Sequence, residues 1–79
     1  MPVVLREAGF SFIIYTDDHA PAHAHVKKAG NEAKIEIDSL RVIWYWGFNS
    51  KEIRRAKESM DQNRDLLMTR WNELHGGEK

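Results

Sequence analysis

Arg41-Val42-Ile43-Trp44-Tyr45-Trp46-Gly47-Phe48-Asn49-Ser50-Lys51-Glu52-Ile53 is the stretch in which the chain changes period, and that change sets the fold. Over residues 41–46 the side chains alternate as on a strand, with Val42, Trp44 and Trp46 on one side and Ile43 and Tyr45 on the other. Gly47-Phe48 breaks the alternation. Asn49 then reads as an N-cap, Glu52 three residues later completes a capping box, and Phe48 with Ile53 makes a hydrophobic staple. Ile53, Ala56, Met60, Leu67, Trp71 and Leu74 recur at helical spacing, interrupted at Asn63, and Gly76-Gly77 marks the stop. A single rod of about 25 residues would run about 37 Å, so its last turns are expected to overhang the sheet and meet a partner.

Upstream, residues 3–5 and 10–15 are apolar, β-rich runs around Arg6-Glu7-Ala8-Gly9, which reads as a hairpin. Residues 17–21 form a loop, since Pro21 cannot donate to a sheet ladder and disfavours a helical Ala20. Residues 23–28 are extended again, Ala29-Gly30-Asn31 is a turn, and residues 33–38 set Ile35 and Ile37 against Lys34, Glu36 and Asp38. The expected fold is α+β: an antiparallel sheet of four to five strands in meander order, with one long C-terminal helix packed on one face. Residues 1–79 read as a single domain.

Composition narrows the function classes. Apolar content of 42% with eight aromatics suffices for a core. The chain has no cysteine, which excludes disulfides, thiolate metal sites and cysteine nucleophiles. Twelve basic residues balance twelve acidic ones, so a nucleic-acid role would need a local basic patch. No signal peptide and no membrane span is evident, and a cytoplasmic protein with no membrane partner is the expectation.

Asp17-Asp18-His19-Ala20-Pro21-Ala22-His23-Ala24-His25 gathers three of the four histidines and two carboxylates into nine residues. Histidine titrates near neutral pH and is the commonest metal ligand. In an extended segment His23 and His25 share one face and Ala24 and Val26 the other. Burying the apolar pair is cheaper, so the histidines are expected on an accessible face away from the core, beside the loop carrying Asp18 and His19. Three readings stand at this point. His23 and His25, with His19 or Asp18, bind a divalent transition metal; or His23, His25 and His19 act as metal-free acid and base in phosphodiester cleavage; or the imidazoles only fix the loop by hydrogen bonding.

Lys51, Arg54, Arg55 and Lys57 crowd the start of the helix, against the macrodipole. They are either a solvated face paired through Arg54–Glu58 and Arg55–Glu58, or a phosphate or anion site built from Lys51, Arg54 and Arg55. Trp44, Tyr45, Trp46 and Phe48 are expected in the core by ordinary burial preferences, although both faces of their strand are apolar and one suits a protein interface.

The opening Pro2-Val3-Val4-Leu5-Arg6, the Asp18-His19-Ala20-Pro21-Ala22-His23-Ala24-His25-Val26 block, Trp44 through Gly47-Phe48, the Lys51-Glu52-Ile53-Arg54-Arg55 helix start and Trp71-Asn72-Glu73 resemble a bacterial family called domain of unknown function 4160. The family often carries two prolines before the second histidine; here Ala22 takes one of those places. The resemblance implies a short protein working with a small cognate partner in a toxin–antitoxin-like module. The resemblance supplies no catalytic residues; from the paired imidazoles and the cations at the helix start, the expected substrate of any activity is RNA or another phosphodiester, with His23 and His25 exchanging protons and Arg54 with Arg55 steadying phosphate. The alternatives are a non-catalytic protein-binding module, including a homo-oligomer, and a His-ligated metal-binding protein.

Overall fold

A computed structural model describes residues 3–75 of the chain. Five strands, β1 (Val3–Glu7), β2 (Phe10–Ile13), β3 (His23–Lys28), β4 (Asn31–Glu36) and β5 (Val42–Trp46), are followed by two helices, α1 (Ser50–Gln62) and α2 (Arg64–Leu74). The strands form one antiparallel sheet in the order β1-β2-β3-β4-β5, the meander the alternating runs predict. Pro2 and the Gly76-Gly77 stop lie outside the described residues.

Two of the hairpins turn over two residues. Glu7 pairs with Phe10 and Lys28 with Asn31, leaving Ala8-Gly9 and Ala29-Gly30 as the loops. Their φ values are +56° and +83°, and +52° and +84°. Positive φ at both central residues is what a type I′ turn requires, and its twist matches that of the flanking strands. Glycine takes this conformation freely, whereas alanine is strained in it.

The core lies between one face of the sheet and the helices. Phe12, Ala24, Val26, Ala33, Ile35 and Ile37 are fully buried there, and Ala56, Met60, Leu67 and Trp71 close it from the helical side. The capping box at Asn49 and Glu52 is present in both directions, as the sequence predicts.

The helix departs from the single rod expected. It breaks at Asn63, whose backbone leaves helical geometry at φ −116°, ψ 24°. The Asn63 side chain donates to the Ser59 carbonyl at 2.8 Å and to Glu7 Oε1 at 2.7 Å, tying the break to β1. With the chain redirected there, Leu67 and Trp71 stay buried and Leu74 packs on the core, so the described part of α2 does not overhang.

The aromatic cluster also differs from its expected burial. Phe48 enters the core against Phe10, but Trp44, Tyr45 and Trp46 are 41, 57 and 67% exposed. β5 is an edge strand. Trp44 pairs with Lys34 and Trp46 with Glu32, which places both tryptophans on the sheet face without helices. Gly47 follows at φ +87°, where a Cβ would collide with the Asn31 side-chain amide. Among the described residues, no helix is long and apolar enough to cross a membrane.

Ala8→Asn and Ala29→Asn should each stabilise the protein, because asparagine tolerates positive φ far better than alanine. A gain of about 0.5–1 kcal/mol is expected, read as a rise in Tm of a few degrees. Gly47→Ala should lower Tm, by the equivalent of about 1–3 kcal/mol for strained backbone.

Candidate metal centre

β3 sets the site through its pleat. Ala24 and Val26 take the core face, so His23 and His25 project from the other, as expected. They are not accessible there: His23 is 4% and His25 9% exposed. The loop after β2 covers them on one side, where Tyr15 meets the His25 ring edge-on at 4.8 Å. Trp71 of α2 covers His23, with ring centroids 5.3 Å apart.

Asp18 closes the cluster. Its Oδ2 lies 3.4 Å from Nε2 of His23 and 3.4 Å from Nε2 of His25. One ligand atom from each of the three residues lies within 4.8 Å of the other two. The carboxylate is oriented by the Tyr15 N–H, which donates to the same Oδ2 at 3.1 Å. The loop is held in turn by the Asp18 N–H, which donates to the Tyr15 carbonyl at 3.2 Å.

The outer ring nitrogens decide what the inner ones offer. His23 Nδ1 stands 2.8 Å from the Pro21 carbonyl oxygen, which can only accept, so Nδ1 carries the proton. The neutral ring then presents a bare lone pair at Nε2, toward Asp18. His25 Nδ1 lies 3.4 Å from Glu32 Oε2, close enough for electrostatic pairing but not aligned as a hydrogen bond. Both Nε2 atoms are buried and have no hydrogen-bond partner. A lone pair facing a carboxylate in a dry site is unfavourable unless a proton or a metal ion stands between them.

The geometry suits a metal. Ligands at about 2.1 Å around a tetrahedral ion lie about 3.4 Å apart, the separation that Asp18 keeps from each histidine. Ligating histidines also commonly donate their other N–H to a backbone carbonyl or lean on a carboxylate, the roles Pro21 and Glu32 play here.

The remaining sequence candidates fall elsewhere. His19 is exposed and outside the cluster, so Asp18 completes the histidine pair instead. Lys51, Arg54 and Arg55 are exposed on α1, the layer against the opposite sheet face. Arg54 lines a groove of its own with Leu40, Ile53, Lys57 and Asp61. The Arg54–Glu58 and Arg55–Glu58 pairs are not among the ion pairs of the described residues; the pair closing the end of α1 is Arg64–Asp61 at 2.6 Å.

Sequence reasoning missed four supports: Tyr15, Glu32, Trp71 and His75. Glu32 was within reach of it, because the two-residue turn at Ala29-Gly30 pairs Lys27 with Glu32 and makes Glu32 the diagonal neighbour of His25. His75 stacks on Trp71 at 3.8 Å, and its Nε2 lies 2.9 Å from the Asp18 carbonyl. Beside the cluster, the Ser39 hydroxyl and then the Arg41 guanidinium hold the Glu36 carboxyl below the usual carboxylate range.

No curated protein and no solved structure matches the chain. A family model described as a domain of unknown function (DUF4160) matches residues 9–72, a span that takes in Asp18, His23, His25, Tyr15, Glu32 and Trp71. With more than three quarters of its length under that model, the chain belongs to the DUF4160 family.

Proposed function

We propose that this protein binds one divalent transition-metal ion through Asp18 Oδ2, His23 Nε2 and His25 Nε2. The observation that carries the reading is the pair of buried, unpartnered imidazole nitrogens converging on one carboxylate oxygen. Two histidines and a carboxylate suit Zn, Fe, Ni or Cu, and three protein ligands leave coordination positions open. An ion so held acts as a Lewis acid and acidifies a bound water, which is the chemistry available at this site. Acid–base exchange between His23 and His25 is less well supported, because the arginines meant to steady phosphate lie on α1, in the layer against the opposite face of the sheet. The toxin–antitoxin-like partnership implied by family resemblance, and the RNA substrate expected from the imidazole pair and the basic helix start, rest on none of the contacts above.

Untagged protein should take up one equivalent of Zn(II) or Co(II). Metal at a hundredfold excess over Kd contributes about 2.7 kcal/mol, which should raise Tm by about 10–20 °C. The imidazole NMR signals of His23 and His25 should shift, and those of His19 should not. Asp18→Asn should abolish the thermal response and His19→Ala should keep it. Equal responses from wild type and Asp18→Asn, or no response from either, would overturn the reading.

A second reading concerns partners. β5 leaves its outer edge free among the described strands and presents three exposed aromatics with no charged residue between Val42 and Trp46. β1, at the other edge, carries Arg6 and Glu7, the kind of charge that blocks strand addition. The occupant that fits β5 is a second copy of this chain. Antiparallel pairing about Trp44 sets Trp44 against Trp44 and Val42 against Trp46, with no like charges opposed. Sedimentation at high micromolar concentration should show a dimer, and Trp44→Lys, which opposes two cations across the axis, should return it to monomer with little change in Tm. A wild-type monomer at every concentration would sink this second reading.

A further inference from the structure

We infer that the metal centre takes a small oxyanion, a carboxylate or phosphate group, as an additional ligand, held by Lys34 and Arg41. The inference rests on the metal reading above and adds the ligand class. A cavity of about 400 Å³ opens beside the cluster, bordered by Asp18 and His23 themselves and by His19, Lys34, Arg41 and Ile43. That size is toward the small end for ligand sites, which run about 300–1,000 Å³.

The charges around it select an anion. β4 pairs Lys34 directly with His25, so the ammonium stem rises on the histidine face beside the ligands. Among the ion pairs of the described residues Lys34 has none, which leaves its three donors free. Arg41 uses Nη2 on Glu36 at 3.2 Å and keeps further N–H groups for a second acceptor. Glu36 and Arg41 roughly cancel. A divalent ion with one carboxylate and two neutral imidazoles retains a single positive charge, and Lys34 adds another. Asp17 at the rim and Glu32 against His25 are the opposing charges; Asp17 is exposed, where solvent screens it, and Glu32 does not line the cavity. An open metal position next to an unpaired lysine and a guanidinium fork is the arrangement that binds an oxyanion through both metal–oxygen and charge-assisted hydrogen bonds. Ile43 supplies apolar lining, so the group carried by the oxyanion is small or partly apolar.

The test uses the Co(II)-loaded protein and its visible absorption, titrated with inorganic phosphate and, separately, with oxalate. At least one should shift the spectrum saturably. Lys34→Met should still take up one equivalent of Co(II) but bind that anion at least tenfold more weakly, and Arg41→Met should weaken it further when combined. A response to phosphate alone identifies phosphoryl ligands, and one to oxalate alone identifies carboxylates. Normal Co(II) uptake with no response to either anion, or equal anion affinity in wild type and Lys34→Met, overturns the inference while leaving the metal reading intact. Failure of wild type to bind Co(II) at all is seen before any anion is added, and overturns both.

Discussion

The pleat of β3 is the constraint from which the rest of the molecule follows. Ala24 and Val26 are sealed beneath the helices, and in a strand their neighbours must then point the other way. That drives two imidazoles, one pleat repeat apart, onto a sheet face with no helix of its own. Leaving them in water would have been simple. Instead the loop from Tyr15 to Ala22 folds back and covers them, and each support this requires is visible: the Pro21 carbonyl on His23, Glu32 beside His25, and the Tyr15 N–H on Asp18. The unpartnered Nε2 atoms are the residue of that closure, polar groups taken out of water with nothing in the protein to replace it.

The helices are drawn into the same arrangement. The break at Asn63 keeps α2 over the sheet, and Trp71 then serves both layers, as a core residue and as the wall against His23. One turn later His75 bridges the carbonyls of Trp71 and Asp18, at 2.8 and 2.9 Å. The end of α2 is thereby fastened to the loop that supplies the carboxylate. Docking of the helix and placement of Asp18 become one event, and the fold and the site share their stability.

Local patterns account for what could be read in advance. The meander, the Asn49 capping box, the buried stripe from Ala56 to Trp71 and the face taken by His23 and His25 each follow from a period of two or 3.6, which the chain declares locally. The misreadings all depend on what lies across from a residue. Trp44 and Trp46 share the pattern of core residues, and only the place of β5 at the sheet edge exposes them. His19 and Asp18 are adjacent in sequence and equally eligible as ligands; the turn fastened through Tyr15 turns one inward and leaves the other in solvent. The periodic stripe marked Asn63 as an interruption, but its role as a break depends on Glu7, 56 residues away.

The free edge and the cluster are not independent features. Ile13, His25, Lys34 and Trp44 form one row across β2, β3, β4 and β5, all on the face without helices. Antiparallel pairing of β5 with a second β5 extends that row through a two-fold axis normal to the sheet, so both clusters would open on the same side of a ten-stranded sheet. At about 4.8 Å per strand, five spacings put the two β3 strands about 24 Å apart. The tryptophans would form a shared apolar floor between two cationic pockets, each with its own Lys34. A ligand carrying one oxyanion would meet each pocket separately, whereas a longer one with an anionic group at each end could span the floor. In such a dimer the exposed aromatics of β5 would separate the two sites without adding any charge that competes for the anion.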